Sequence, residues 1–135
     1  MTAGELQAFL NRAFPQVADD FTVEAAGDET VVRLNVAERH LRPGGTVSGP
    51  TMFALADVTI YLAVLSRIGE VALAVTTNCS IDFLRKPEAG RDLVARGRIL
   101  KLGKVLAVGD VLIFSDGMDA PVARASLTYS IPPAR

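Results

Sequence analysis

The sequence predicts an α+β fold in which a curved antiparallel sheet wraps around one central helix, with a short helix at the N-terminus. Three observations lead there. The stretch from Ser48 to Arg67 carries helix punctuation at both ends and is apolar on nearly every side. Ala123, Ala125, Leu127, Tyr129 and Ile131 alternate with Arg124, Ser126, Thr128 and Ser130, the two-residue period of a half-buried strand. Several such runs follow one another after Val71, separated only by short turns, so they pair antiparallel and must curl to cover the helix.

Taken in order, Leu6, Leu10 and Phe14 fall at four-residue spacing within Gly4 to Phe14, one stripe of an amphipathic helix that Pro15 closes. Phe21–Ala25 and Thr30–Ala37 are short β-like runs around the turn residues Gly27-Asp28-Glu29. Arg42-Pro43-Gly44-Gly45 is a loop whose glycines reach conformations closed to other residues. Ser48 is a good N-cap, Pro50 sits in the first turn where its missing N–H costs nothing, and Gly69 ends the helix. The remaining strands are expected at Val71–Leu84, Leu93–Leu102, Val105–Phe114 and Ala123–Ile131. No repeat or linker interrupts the 135 residues, a length that suits one domain over 1–135.

Composition narrows the function. With 14 Lys+Arg against 15 Asp+Glu the net charge is −1, which gives no electrostatic case for nucleic acid or an anionic membrane as partner. One Cys and one His leave neither an intrachain disulfide nor a zinc-type ligand set, and no cofactor or metal is expected. The N-terminus lacks a basic start followed by an apolar stretch, and the tract Pro50–Leu65 is interrupted by Asp57 and shorter than the ~20 residues of a membrane span. A cytoplasmic protein is expected. Half the residues are hydrophobic and 21% charged, which hints at apolar surface buried against another subunit.

Asp57 is the only charge between Arg42 and Arg67, placed in the middle of the most apolar helix. Burying a lone carboxylate is costly unless it is hydrogen-bonded or neutralised. It reads either as a hydrogen-bond acceptor at a loop or subunit contact, or as a base or nucleophile held in a cleft. The run Gly44-Gly45-Thr46-Val47-Ser48-Gly49 leads into a helix start whose first N–H groups have no intrahelical partner, a place that can hold an oxyanion. Gly49 and Asp57 are separated along a helix by about 12 Å and ~80° of rotation. That separation disfavours a meeting at one carbonyl within a single chain. A two-fold axis that set a second copy of the helix antiparallel to the first could bring Asp57 of one subunit to face Gly49 of the other.

The run Arg39-His40-Leu41-Arg42-Pro43-Gly44-Gly45-Thr46-Val47-Ser48-Gly49-Pro50, followed by Thr51-Met52-Phe53-Ala54-Leu55-Ala56-Asp57, resembles the hotdog-fold acyl-CoA thioesterases of the phenylacetate-pathway (PaaI) type. In that family a glycine-containing loop reaches a His-Gly-Gly step, and an Asp follows eight residues after the first of those glycines. Ile81-Asp82-Phe83-Leu84-Arg85 looks like the end of the family's first long strand, and Gly103-Lys104 like its Gly-Lys/Arg step. The likeness covers nearly the whole chain after Gly27.

The resemblance implies a hotdog fold and hydrolysis of an acyl-CoA thioester by a homodimer or a dimer of dimers. It puts the catalytic carboxylate on Asp57, the oxyanion-hole N–H on Gly49, and the Ser/Thr that assists the attacking water on Thr76, or on Thr77 if the register shifts by one. Asp57 then activates water or attacks directly. The family's His is Ser48 here and its second Gly is Pro50, while the Asn that many relatives place before the glycine loop falls near Arg42. Arg42, Arg85, Lys86, Lys101 and Lys104 are candidate contacts for the CoA end of the substrate, and each also reads as an ordinary solvated charge. Ser48 lacks a Gly-x-Ser-x-Gly elbow, His40 reads as a surface residue, and Cys79 as strand packing. The alternative is a catalytically silent hotdog protein that binds acyl-CoA or another apolar ligand.

Overall fold

In the computed structural model, which describes residues 1–133, the helices are α1 (Ala3–Ala13) and α2 (Gly49–Ile68). The strands are β1 (Phe21–Ala25), β2 (Thr30–Leu34), β3 (Val75–Phe83), β4 (Leu93–Leu102), β5 (Leu106–Ser115) and β6 (Pro121–Ser130). All pair antiparallel in one sheet of order β1-β2-β4-β5-β6-β3. The hairpins β4–β5–β6 are local, as the short turns predict, whereas β3 lies at the far edge beside β6.

α2 forms for the reasons its ends announce. The Ser48 hydroxyl accepts the Thr51 N–H at 3.4 Å, Pro50 occupies the first turn, and the Gly69 N–H closes on Leu65 with φ 89°. At 20 residues the helix is long and apolar enough to cross a membrane by length and composition, against the shorter tract read from Pro50 to Leu65. Here it is the core helix, with β2, β4 and β5 packed on it. Leu55, Ile60, Leu62, Val64 and Leu65 are fully buried and share one apolar cluster with Leu6 and Leu10 of α1. Burial on nearly every side is not what the chain achieves, because one sheet covers one side. Pro50, Phe53 and Ala54 stay exposed, and Asp57 and Val58 are half-buried.

The distance between helix and sheet is set by two glycines. A Cβ built on Gly97 of β4 would stand 2.8 Å from the Thr59 methyl, and one on Gly109 of β5 would stand 2.7 Å from Ile60 Cδ1 and 2.9 Å from the Arg98 carbonyl oxygen. The Thr59 methyl has little freedom to give way, since its hydroxyl is tied to the Leu55 carbonyl at 2.7 Å.

Two boundaries differ from the sequence expectation by more than two residues. β2 stops at Leu34, and the following segment forms a 3₁₀ turn at Glu38–His40. β3 starts at Val75 rather than Val71, because Val71 and Ala74 donate to Gly69 and Val71 in consecutive tight turns. The two sheet edges also differ. The outer side of β1 is engaged by Gln7 of α1, whose amide accepts the Val23 N–H at 2.7 Å and donates to the Phe21 carbonyl at 3.2 Å. β3 is nine residues long, and its outer side pairs with no strand among the described residues.

Gly97→Ala is expected to lower stability by about 1–3 kcal/mol, as overpacking does. Gly4→Ala, at a helix position where a Cβ meets nothing closer than 4.0 Å, is expected to be neutral or to stabilise by about 0.5–1 kcal/mol. Urea unfolding midpoints of the two variants check both.

Candidate active site

The β3–β6 register places Thr76 directly opposite Tyr129, and both side chains face α2 at Asp57. A bulge makes this possible. The pairing of β3 shifts between Thr76 and Asn78, so Thr76 and Cys79 both turn inward while Thr77 and Asn78 turn out. Of the two threonines the sequence left open, Thr76 therefore reaches Asp57, and Thr77 donates to the Thr128 carbonyl at 3.3 Å on the exposed side.

Asp57 Oδ1 accepts two hydrogen bonds, from Thr76 Oγ1 and from the Tyr129 hydroxyl, each at 2.6 Å. The Tyr129 oxygen also lies 3.0 Å from the Asp57 carbonyl oxygen. Hydroxyl protons aimed at a carboxylate are charge-assisted and strong, and they hold the acid in place on an otherwise apolar helix. Burial, then the hydrogen bond and charge of Asp57, push the Tyr129 phenol well above its ordinary range. The Cys79 thiol is raised by burial and by the Asp57 charge, so it stays a neutral packing group.

Asp57, Thr76 and Tyr129 line a cavity of about 640 Å³. Its walls are mostly apolar, with Leu10, Phe14, Phe21, Val58, Tyr61 and Ala74 among them, and no Lys or Arg side chain lines it among the described residues. Phe14, Tyr61 and Tyr129 form an aromatic wall: Phe14 meets Tyr61 edge-on at 5.8 Å, and Tyr61 lies 6.0 Å from Tyr129. The Tyr61 hydroxyl donates to the Ala72 carbonyl at 3.0 Å. A volume of this order with few polar groups is the usual form of a small-molecule site.

His40 also lines this cavity and is 6% exposed, so the surface reading of it does not hold. The 3₁₀ turn draws it inward: its Nδ1 accepts the Ala37 N–H at 2.9 Å, and its carbonyl accepts the Ser48 N–H at 2.9 Å. In the neutral ring the proton is then on Nε2, which stands 3.4 Å from Asp20 Oδ2 without good hydrogen-bond geometry. His40 thus anchors the loop that delivers the start of α2.

Gly49 opens elsewhere. It borders a separate groove of about 350 Å³ shared with Arg42, Phe83, Arg85 and Lys86. The Phe83 ring lies against it, with 3.3 Å from a Cβ position to the ring tip. The first residue of a helix has no intrahelical acceptor for its N–H. Ser48 spends its hydroxyl on the cap, 2.9 Å from Thr51 Oγ1, and lines neither space. The Arg85 guanidinium donates to the Pro121 carbonyl at 2.9 Å. Lys101 and Lys104 are exposed near the β4–β5 turn, at the end of the sheet where β3 begins and away from Arg85 and Lys86. One chain therefore brings together Asp57, Thr76 and, unforeseen, Tyr129, but keeps Gly49 apart from them. Tyr129 was hidden among the inward positions of a regular strand. The available signal was its hydroxyl, since a buried phenol needs a partner.

Comparison with known proteins agrees with this geometry. The family model described as "Thioesterase superfamily" matches residues 44–122, more than half the chain. A crystal structure from Silicibacter sp. TM1040, whose thioesterase assignment is itself provisional, is 61% identical with a TM-score of 0.91, covering 97% of this chain and 92% of that one. A variant of the phenylacetic acid degradation protein PaaI from Thermus thermophilus is 29% identical with a TM-score of 0.75, covering 87% and 99%. Human acyl-coenzyme A thioesterase 13 is 30% identical over 74% of this chain and 71% of its own length.

Replacing Asp57 by Asn is expected to let the Tyr129 phenol titrate at lower pH than in the wild type, yet still above an ordinary tyrosine because burial remains. Absorbance titration of the two tyrosinates checks this. The family model, the sheet wrapped on one helix and the named relatives agree: the chain belongs to the thioesterase superfamily, a thioester hydrolase on the hotdog fold.

Proposed function

We propose that the protein hydrolyses an acyl-CoA thioester to the free acid and CoA, with the acyl group in the cavity beside Asp57. The observation that carries this reading is a half-buried carboxylate anchored at the wall of a largely apolar cavity of about 640 Å³. Asp57 takes a proton from water, or attacks the carbonyl itself. Thr76, whose one hydroxyl proton goes to Asp57, has lone pairs left to accept from that water. Oxygen adds to the carbonyl carbon, the C–S bond breaks, and the CoA thiolate takes up the proton. Where Asp57 is itself the attacking oxygen, water then cleaves the acyl–Asp57 anhydride, which releases the free acid, restores the carboxylate and supplies that proton.

The oxyanion that forms needs a donor, and the Gly49 N–H of a second copy supplies it. Support for pairing comes from the unpaired outer side of β3 and the apolar residues beside it, with Leu73 at 75% and Val75 at 56% exposure, together with the open Phe53 stripe of α2. A two-fold axis across this edge sets the Asp57 cavity of one copy against the Gly49 groove of the other. The same operation brings Arg42, Arg85 and Lys86 of one copy toward the site of the other, where they meet the CoA phosphates, with Lys101 and Lys104 available at the cavity's own end. A dimer is the smallest assembly with this property, and a dimer of dimers retains it.

Release of free thiol from short, long and aromatic acyl-CoAs is the direct test. Asp57→Asn is expected to lose about 10²–10⁴-fold in rate. Equal background release from wild type and variant rules out the enzyme and leaves a silent acyl-CoA binder, which equilibrium binding of the same panel detects. Mixing inactive Asp57→Asn chains with inactive Gly49→Pro chains, which lack the N–H, is expected to restore about a quarter of the wild-type activity, because half the mixed dimers' sites are intact. No recovery, or a monomer in sedimentation, refutes the shared site.

A further inference from the structure

We infer that Tyr129 is a positioning residue that divides the work between the two oxygens of Asp57, fixing Oδ1 as the anchored atom and leaving Oδ2 to meet the substrate or its water. The inference rests on the catalytic reading of Asp57 given above. Oδ1 already receives two hydroxyl protons at 2.6 Å, one from Thr76 and one from Tyr129, while no hydrogen bond to Oδ2 is made among the described residues. The two donors come from different strands, locked side by side by the Thr76–Tyr129 register pair, so they restrain both rotation of the carboxylate and its tilt on α2. The Asp57 carbonyl, 3.0 Å from the Tyr129 oxygen, is the longer arm of a bifurcated bond from the same phenol proton, so that proton is directed at Asp57 whichever acceptor it favours.

Tyr129 suits the task because it does not let go of its proton. Burial and the neighbouring carboxylate keep the phenol protonated through the range in which Asp57 must be ionised. A donor that keeps its proton stays aimed at Oδ1, so the anchored oxygen and the free one do not exchange places. Thr76 has a second duty toward the water, and so it cannot be varied without disturbing both roles. Tyr129 has no such conflict: its oxygen is spent on Asp57, and its ring is 3% exposed in the core.

The other titratable groups near Asp57 are Tyr61 on its own helix, Cys79 on β3, and His40 and Asp20 across the cavity. Tyr61 donates to the Ala72 carbonyl, and Asp20 pairs with Arg39 and stands beside His40. None of them has Tyr129 as a hydrogen-bond partner, so removing the phenol hydroxyl acts on Asp57.

The test is the separate measurement of kcat and KM for CoA release by wild type, Tyr129→Phe and Asp57→Asn on the best acyl-CoA of the panel. Tyr129→Phe is expected to lower kcat by about tenfold, with KM little changed. A merely structural tyrosine would leave kcat of the folded variant in place. Full replacement of tyrosine by 3-fluorotyrosine in a Tyr61→Phe background makes the remaining phenol a stronger donor without removing it, and should change kcat relative to the unfluorinated Tyr61→Phe protein with KM unmoved. That arm decides the matter if Tyr129→Phe does not fold. An Asp57-dependent rate with an unmoved kcat in the folded Phe variant, or in the fluorinated protein, overturns the positioning role alone. A wild-type rate equalled by Asp57→Asn overturns the catalytic reading and this inference with it.

Discussion

The approach of α2 to the sheet is the constraint from which the other features follow. Gly97 and Gly109 have no side chain where the helix comes nearest, so Thr59 and Ile60 lie almost on the strand backbones. That depth decides what the neighbouring turn of the helix can touch. Asp57 sits two residues before Thr59 on a face that looks past the strands carrying these glycines, and the same close docking brings it within reach of hydroxyls on β3 and β6. A helix held a side chain's width further out would leave the carboxylate without donors, and a polar group in this setting is costly when unpaired. The packing of the core and the anchoring of the acid are therefore one geometric fact.

The carboxylate also explains why the helix is incompletely covered. An acid with every lone pair buried would be inert, and one on the open surface would be solvated and undirected. Asp57 lies between, with its Oδ1 side closed by two hydroxyls and the Phe53–Ala54 side of its helix open. The cost of leaving apolar surface exposed there is offset if a second copy covers it, which joins the catalytic proposal to self-association.

Much of the fold was legible because its signals are local. The alternation of Ala123 to Ile131, the Ser48 cap and the Gly69 stop each depend on neighbours within a few residues, and each appears where expected. The helix-borne part of the site was legible too, since Asp57 is conspicuous for its charge. What escaped depends on contacts distant in sequence. Tyr129 reaches Asp57 across 72 positions, and in the strand pattern it was one more inward apolar residue. His40 looked solvent-facing because no periodicity spans the turn that buries it. The choice between Thr76 and Thr77 turned on a bulge, a feature of pairing with β6 that β3 alone does not encode.

The Gln7 amide on the outer side of β1 has a consequence for assembly. By accepting from Val23 and donating to Phe21 it occupies hydrogen-bonding groups that another strand would use. A sheet with both edges free can add copies without end, as fibres do. Among the described residues, this sheet has one edge closed by a side chain from α1 and one that pairs with no strand at β3. Copies joined edge to edge through β3 would therefore stop at two, and a larger assembly would need contacts through faces.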